Sequence, residues 1–555
     1  MTSLARDVLS RPKALFGACL VWVAVTGIAL LTSLGASVAA ADAQASSVLY
    51  VATGGSDAAS CTKSAPCASF ARAYRLAAPG TAVEVAGGSY PRQTLTVDAA
   101  KSGGADVVFR PTAGTSVTLA EFVSGDTSKR IGAKRFELRD FKISSYVRVR
   151  WGSEDVTLRN IDAAGLNITS ASRVKVLGGD YGPVADGVSH INACGVEGCF
   201  PAEDVLIDGA LFHDYTVTDP AKHSECLLIW PGRRVTIRNS TFRNCTDFDV
   251  LVKPYKTGLV GLPGEITFEN NFFDEPIVGD GRGNRGGNAI ALTQGSGEAW
   301  SGVRILYNSS LGGFRIDPAI QNAVVKGNVA RKDSNFSCQR NAAFSFNVWN
   351  GTKCSATDRR AALPDVFVDA SSTGFDLDLR RGSAAIGAGD PLSAPRTDRE
   401  GRVRPRTLAA DAGASQREPA LAQAGRGIGT VTLRMPRAAV TEWYGEPLRR
   451  TFVDGSKPGQ RIELETRSVR GGLLRVHYLD GRVVAVSTTS RFYRTPKNLG
   501  PGVPLVPRPN DKRICRPVGT GGLYVTPTRR GKTVVAELTV AVRHYAPPCA
   551  QKPKS

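Results

Sequence analysis

The chain has 555 residues, 42% of them hydrophobic and 22% charged, with 59 Gly and 31 Pro, which excludes a single small module, a disordered chain and a multi-span membrane protein. Its 70 Lys and Arg against 50 Asp and Glu leave a formal charge of +20, so anionic partners have to be considered. The excess is uneven, because residues 427–555 carry 23 basic and 8 acidic side chains, a net of +15.

Arg6, Arg11 and Lys13 precede an uncharged apolar run from Ala14 to Ala41, and the small-residue series that follows offers A-x-A cleavage after Ala43 or Ala45. Residues 1–45 read as a secretory signal, which places the mature chain outside the cell or at its surface. Left uncleaved, a run of this length would anchor the N-terminus in a bilayer. Setting Cys19 aside, ten cysteines fall as near neighbours, Cys61/Cys67, Cys194/Cys199, Cys226/Cys245, Cys338/Cys354 and Cys515/Cys549. Sequential disulfides are the expectation in an oxidising compartment.

From Arg135 to Asn347 one pattern recurs, an apolar alternation ending at Asn, Asp or Gly, as in Phe136–Asp140, Val156–Asn160, Val235–Asn239, Ile266–Asn270, Arg304–Asn308, Val324–Asn328 and Ala343–Asn347. The turn residues are 20, 18, 31, 30, 31, 38, 20 and 19 residues apart, a base period near 20 with insertions, which is the mark of a solenoid. Period-2 alternation makes each unit a set of strands too short to bury its own face, so stacking on neighbours makes the core. The recurring Asn is expected to form an internal ladder of amides bonded to backbone.

These repeats, with the opening Leu49–Asp57, the Ser69–Tyr74 segment and the Pro79–Tyr90 strand region, resemble the right-handed parallel β-helix proteins of the pectin-lyase-like superfamily. The resemblance implies a short helix capping the open end and a stack that starts after Pro79-Gly80. The segment Phe375–Gly389, with Asp398–Gly401 and Asp411–Ala414, is similar to the closing part of bacterial surface β-helix proteins of the choice-of-anchor type. The fold class expected is all-β, a right-handed parallel β-helix over 46–394, then a closing segment and linker over 395–426.

Each middle coil carries a second strand, in Gly187–Ile191, Glu225–Trp230, Asp249–Lys253 and Asn288–Leu292. With Cys226, Leu228, Val250, Val252, Ala289 and Ala291 inward, alternation sets Glu225, Asp249 and Asn288 outward in one column, ~4.8 Å from coil to coil. His223 and Asp247 lie just ahead, and Asp186 and His190 belong to the preceding coil. Insertions at 192–203, 213–222, 254–264 and 274–287 are expected to wall this column into a groove for an extended polymer. Cys194/Cys199 would staple one wall, and Trp230 offers a stacking platform that core packing equally explains.

Two chemistries fit such a groove. In one, Glu225, Asp249 and Asn288 hold Ca²⁺ against a uronate carboxylate, Lys253 takes the α-proton, and Arg282 or Arg285 steadies the enolate, giving β-elimination. In the other, two of Asp186, Glu225, Asp247 and Asp249 act as acid and base on a glycosidic bond. Substrate contacts fall to Asp186, His190 and Trp230, with His223 and Asp247 as further catalytic candidates. A non-catalytic binding or adhesion surface remains the alternative, because charged residues on an exposed β-helix face are often only solvated.

After the linker, the segment Pro436–Pro447 reads as a short helix stopped by Gly445 and Pro447. Leu473–Tyr478, Arg482–Thr488 and Thr533–Val542 read as antiparallel strands. This basic α+β domain, 427–549 with a tail at 550–555, is similar to the modules typified by β-lactamase-inhibitor protein and the outer-membrane lipoprotein BamE, whose members bind proteins. Its charge suits an anionic cell-wall polymer or an acidic protein, and nucleic acid is not expected as a partner of a secreted chain. Altogether the sequence points to a secreted monomer that engages extracellular polysaccharide.

Overall fold

The computed structural model describes residues 48–126, 131–194, 199–219, 222, 224–254, 261–277, 287–295, 298–331, 338, 340–390, 392–405, 409–455, 458–505, 516–518, 522–527, 534–542 and 545. The expected signal segment, the tail, His223, Arg282, Arg285, Cys515 and Cys549 lie outside the described residues.

Strands stack in parallel into three ladders, the faces of a parallel β-helix. The first face is a 13-stranded sheet from Val48–Val51 to Ala342–Ser345. Its registry aligns one inward residue per coil, running Val83, Phe109, Leu138, Leu158, Val176, Ile207, Ile237, Phe268, Ile305 and Val325, all fully buried. Like residues at like positions let every coil bury the same face of its neighbour, which is how a short repeat gains a core. Along the second face Tyr181, Phe212, Phe242 and Phe273 stack with 5.1 Å between successive ring centroids.

The turn between these faces holds the expected amide ladder, in place at Asn308, Asn328 and Asn347 and one residue later than expected at Asn271. Asp140, Asn160, Asn239 and Asn270 adopt left-handed backbone, with φ between 50° and 63°, a conformation Asn and Asp tolerate. The buried ladder uses the next position, Asn271, Asn308, Asn328 and Asn347. Each Oδ1 accepts from the preceding member's backbone N–H and amide at 2.9–3.0 Å, as Asn328 Oδ1 does from Asn308. Each Nδ2 donates to a first-face carbonyl, as Asn328 does to Ile305 at 2.8 Å. Asp358 ends the row by accepting from Asn347.

The helix Phe70–Leu76 follows Ser69, whose hydroxyl accepts from Arg72 N–H at 3.1 Å as an N-cap. It buries Phe70, Ala73 and Tyr74 at the start of the stack. Farther on, the closing segment folds back along the turn row, where buried Arg404 donates to Asn270 Oδ1 and to three backbone carbonyls and lies over the Tyr307 ring. Beyond it, the helix Arg437–Tyr444 ends at Gly445 with φ 73°, where the sequence placed it. A seven-stranded antiparallel sheet follows, in the order Arg449–Asp454, Arg461–Val469, Gly472–Leu479, Arg482–Thr488, Val535–Ala541, Leu523–Pro527, Arg516–Pro517.

Four disulfides are formed among the described residues, Cys61–Cys67, Cys194–Cys199, Cys226–Cys245 and Cys338–Cys354. Such bonds persist in oxidising compartments. Among the described residues no helix is long and apolar enough to cross a membrane.

Candidate functional site: the third face

The third face carries the second strands of the coils. Its inward residues Val149, Ile168, Ile191, Ile229, Val252, Leu292 and Ile316 are in register. Leu227 and Ile229 point inward and Leu228 outward, and Ile290 and Leu292 point inward and Ala291 outward, the reverse of the expected register for those two strands, while Val250 and Val252 point inward as expected. Leu228, Leu251 and Ala291 form a separate cluster outside the core, with Trp230 and Phe248 packed against it. The reason is physical: Leu-Leu-Ile is apolar at every position, so alternation cannot choose its inner face, and the neighbouring strands decide it.

That choice changes the acidic column. Glu225 and Asp249 are 1% and 0% exposed and Asn288 is 7% exposed, so all three are buried rather than aligned on an open face. Glu225 directly precedes Cys226 of the Cys226–Cys245 bridge. Asp247 adopts φ 61° and its N–H donates to Ile277 O at 2.7 Å, making it a corner residue. Oxygen donors are what calcium takes, yet among the described residues no three His, Cys, Asp or Glu side chains converge to hold a metal.

Asp186 lies at a left-handed corner with φ 53°, where it accepts from the Thr218 N–H at 3.0 Å and from its hydroxyl. Those bonds lower its pKa, and they fix it as a loop anchor.

His190, Trp230 and Lys253 do come together. In register across coils, the outward column reads Arg148, Asn167, His190, Leu228, and beside it Arg150, Thr169, Asn192, Trp230. Lys253 Nζ stands 5.0 Å over the Trp230 ring, and the indole N–H donates to Pro254 O at 3.0 Å. Arg148 lies over the Tyr146 ring and pairs with Glu121 at 2.6 Å, a carboxylate that also takes Arg92 at 3.3 Å. Burial, then the charges of Arg148, Arg150 and Lys253, hold the His190 imidazole down to about 4. Burial and the same crowding by Arg148 and Arg92 lower Arg150. His190 Nδ1 is 3.1 Å from Asn167 Oδ1, so the side-chain amide of the preceding coil bonds the ring. The result is an electropositive strip with an indole at one end.

No family model matches the chain, and no curated protein does. Solved structures similar to it include pectate lyase Pel9A, at 14% identity over 66% of this chain and 96% of that one, with a TM-score of 0.35. Rhamnogalacturonan lyase follows at 11% identity, 58% and 90% coverage and a TM-score of 0.32. The surface protein and adhesin PfbA of Streptococcus pneumoniae stands at 15% identity, 51% and 79% coverage and 0.29. At such identities and scores these likenesses carry no argument about activity.

Sequence reasoning missed a second cluster, on the second face. His213, expected in a wall loop, lies in the strand Leu211–Thr216, with Nε2 2.8 Å from Asp180 and Nδ1 2.7 Å from Asp214. Asp214 also accepts from Asn244; partial burial raises its pKa, but the bonds from Asn244 and His213 outweigh that and leave it lowered. Arg243 closes the groove by donating to Ser372 O and Thr373 O at 3.2 and 2.9 Å. The available signal was the one-coil spacing of Asp180, His213 and Arg243, hidden by insertions of unequal length.

Proposed function

We propose that the protein is a secreted β-helix protein that engages an acidic, uronate-type polysaccharide along the third face. The observation that carries this reading is the cationic strip of Arg148, Arg150 and Lys253 gathered around a neutral His190. Carboxylates along a glycan would meet charge at two levels of the stack, Arg148 and Arg150 on one coil and Lys253 four coils farther on, each coil ~4.8 Å from the next. Guanidinium groups are suited to them because they present paired donors to a carboxylate. Trp230 supplies an apolar ring beside Lys253, and Asn167 and Asn192 supply amides for hydroxyls.

Cleavage by β-elimination is the second reading, favoured by one observation: a neutral His190 under the influence of Arg148, Arg150 and Lys253, the groups that would neutralise the uronate. In that step the base takes the proton α to the carboxylate, the C–O bond to the leaving sugar breaks, and a 4,5-unsaturated end forms.

The test is retention of the mature, disulfide-bonded chain on polygalacturonate, alginate and neutral glycans, with ultraviolet absorbance followed in parallel. Retention on acidic glycans that falls at least tenfold in R148A/K253A supports the binding surface. Equal retention on neutral glycans, or no change in the double variant, overturns it. Absorbance lost in H190A with retention kept would establish elimination.

A further inference from the structure

Where the closing segment meets the C-terminal sheet, the chain builds a second polar site far from the third face in sequence. Asp411 is 1% exposed and saturated. It accepts from Gly387 N–H and Arg470 on one oxygen, and from Gln416 and Arg417 N–H on the other, at 2.8–3.1 Å. Glu418, a few residues on, accepts from the hydroxyls of Tyr444 and Tyr493. Between them lies a cavity of about 230 Å³, room for one sugar ring and below the ~300–1,000 Å³ of drug-sized sites.

Three guanidinium groups border this cavity, and only one is neutralised. Arg470 pairs with Asp411 at 3.1 Å and lies over the Phe492 ring. Arg417 donates to Leu379 O at 2.7 Å and lies 5.8 Å from the Trp443 ring centre. Arg381 is exposed and lies against Gly445, where a Cβ would come within 2.3 Å of its Nη1. Among the described residues neither Arg381 nor Arg417 forms an ion pair. Burial lowers the pKa of Arg417 and of Arg470, the signature of cations held partly out of water. Trp443 keeps 37% of its surface exposed, an apolar platform beside unpaired charge.

We propose that this junction cavity binds a single sugar acid, its carboxylate taken by Arg381 and Arg417, its apolar ring face against Trp443 and its hydroxyls bonded to Glu418 and Ser468. The assignment follows from chemistry. Two guanidinium groups that make no ion pair among the described residues call for an anion, an open indole calls for a ring with C–H faces, and the Glu418 carboxyl calls for hydroxyls. The site stands independently of the third-face reading, since it shares no residue with it.

Calorimetric titration of the mature chain with D-glucuronate, D-galacturonate, D-galactose and D-glucose 6-phosphate tests it. Saturable binding of a uronate, at least tenfold weaker in R381Q and in W443A, is the expected result. R381Q keeps the fold because Arg381 is exposed, and an unchanged melting curve checks this. Three results overturn the assignment: no uronate binding at millimolar concentration, equal affinity for galactose, or binding unaffected by both substitutions. Binding of the sugar phosphate alone would overturn it as well, by making phosphate the anion recognised.

Discussion

Single residues here titrate away from their ordinary values for opposite reasons. Burial lowers the imidazoles of His190 and His477 to about 4, so each stays neutral near pH 7. Their contribution to stability is present above the ordinary histidine value and is lost as pH falls through about 4, because the unfolded chain takes the proton first. Glu418 is pushed up to about 7 by burial, against the bonds from Tyr444 and Tyr493. Its contribution has the other sign: present below the ordinary carboxyl range, and lost as pH rises through 7. Glu418→Gln should therefore flatten the fall in melting temperature between pH 5 and pH 8 that the native chain shows, measured by calorimetry. A variant that keeps the native slope would contradict the assignment. No local pattern marks Glu418, because its environment comes from Tyr444 and Tyr493, on a helix and a loop distant along the chain.

At the scale of elements, the amide ladder holds the turns between the first two faces. Asn328→Ala leaves the Asn308 N–H and the Ile305 carbonyl without the side chain that bonds them, while Asn347 Oδ1 keeps the bond from the N–H of residue 328. Each buried polar group left so costs ~1–3 kcal/mol, and chemical denaturation should show a loss of about 3 kcal/mol. The neighbouring stack is apolar instead: Phe242 sits between Phe212 and Phe273 and is fully buried. Phe242→Ala should cost ~3–5 kcal/mol through the cavity it leaves, while Phe242→Leu costs less. The repeat, the strands and the helix ending at Gly445 were legible because periodicity and turn residues are local signals. Asn308, Asn328 and Asn347 were read in place, while Asn270 was read for Asn271 because Asn there occupies both the left-handed corner and the buried position after it. Leu227 to Ile229 misled for the complementary reason, since an unbroken apolar run has no pattern to read.

For the whole molecule, the expected disulfide framework is present in the four pairs whose residues are described. The Cys226–Cys245 bridge spans 19 residues, and closing a loop of that size contributes ~3 kcal/mol. Cys226→Ala/Cys245→Ala should lower the unfolding midpoint accordingly, with a loss below about 1 kcal/mol counting against a structural role. The net charge of +20 acts at this scale too. Retention on any polyanion should weaken steeply with salt, and the part that R148A/K253A removes should depend on the glycan's carboxylate pattern, which diffuse charge does not read. Composition, repeat period, cysteine spacing and the basic C-terminal quarter were all fixed by the order of residues alone, because each is a property of neighbours along the chain. Which side of Leu228 faces water, that Glu225 and Asp249 are buried, that Arg148 and Lys253 crowd His190, and that Arg381 and Arg417 border one cavity were decided only by the tertiary structure. Coils and segments far apart in sequence supply those surroundings, and no local pattern encodes them.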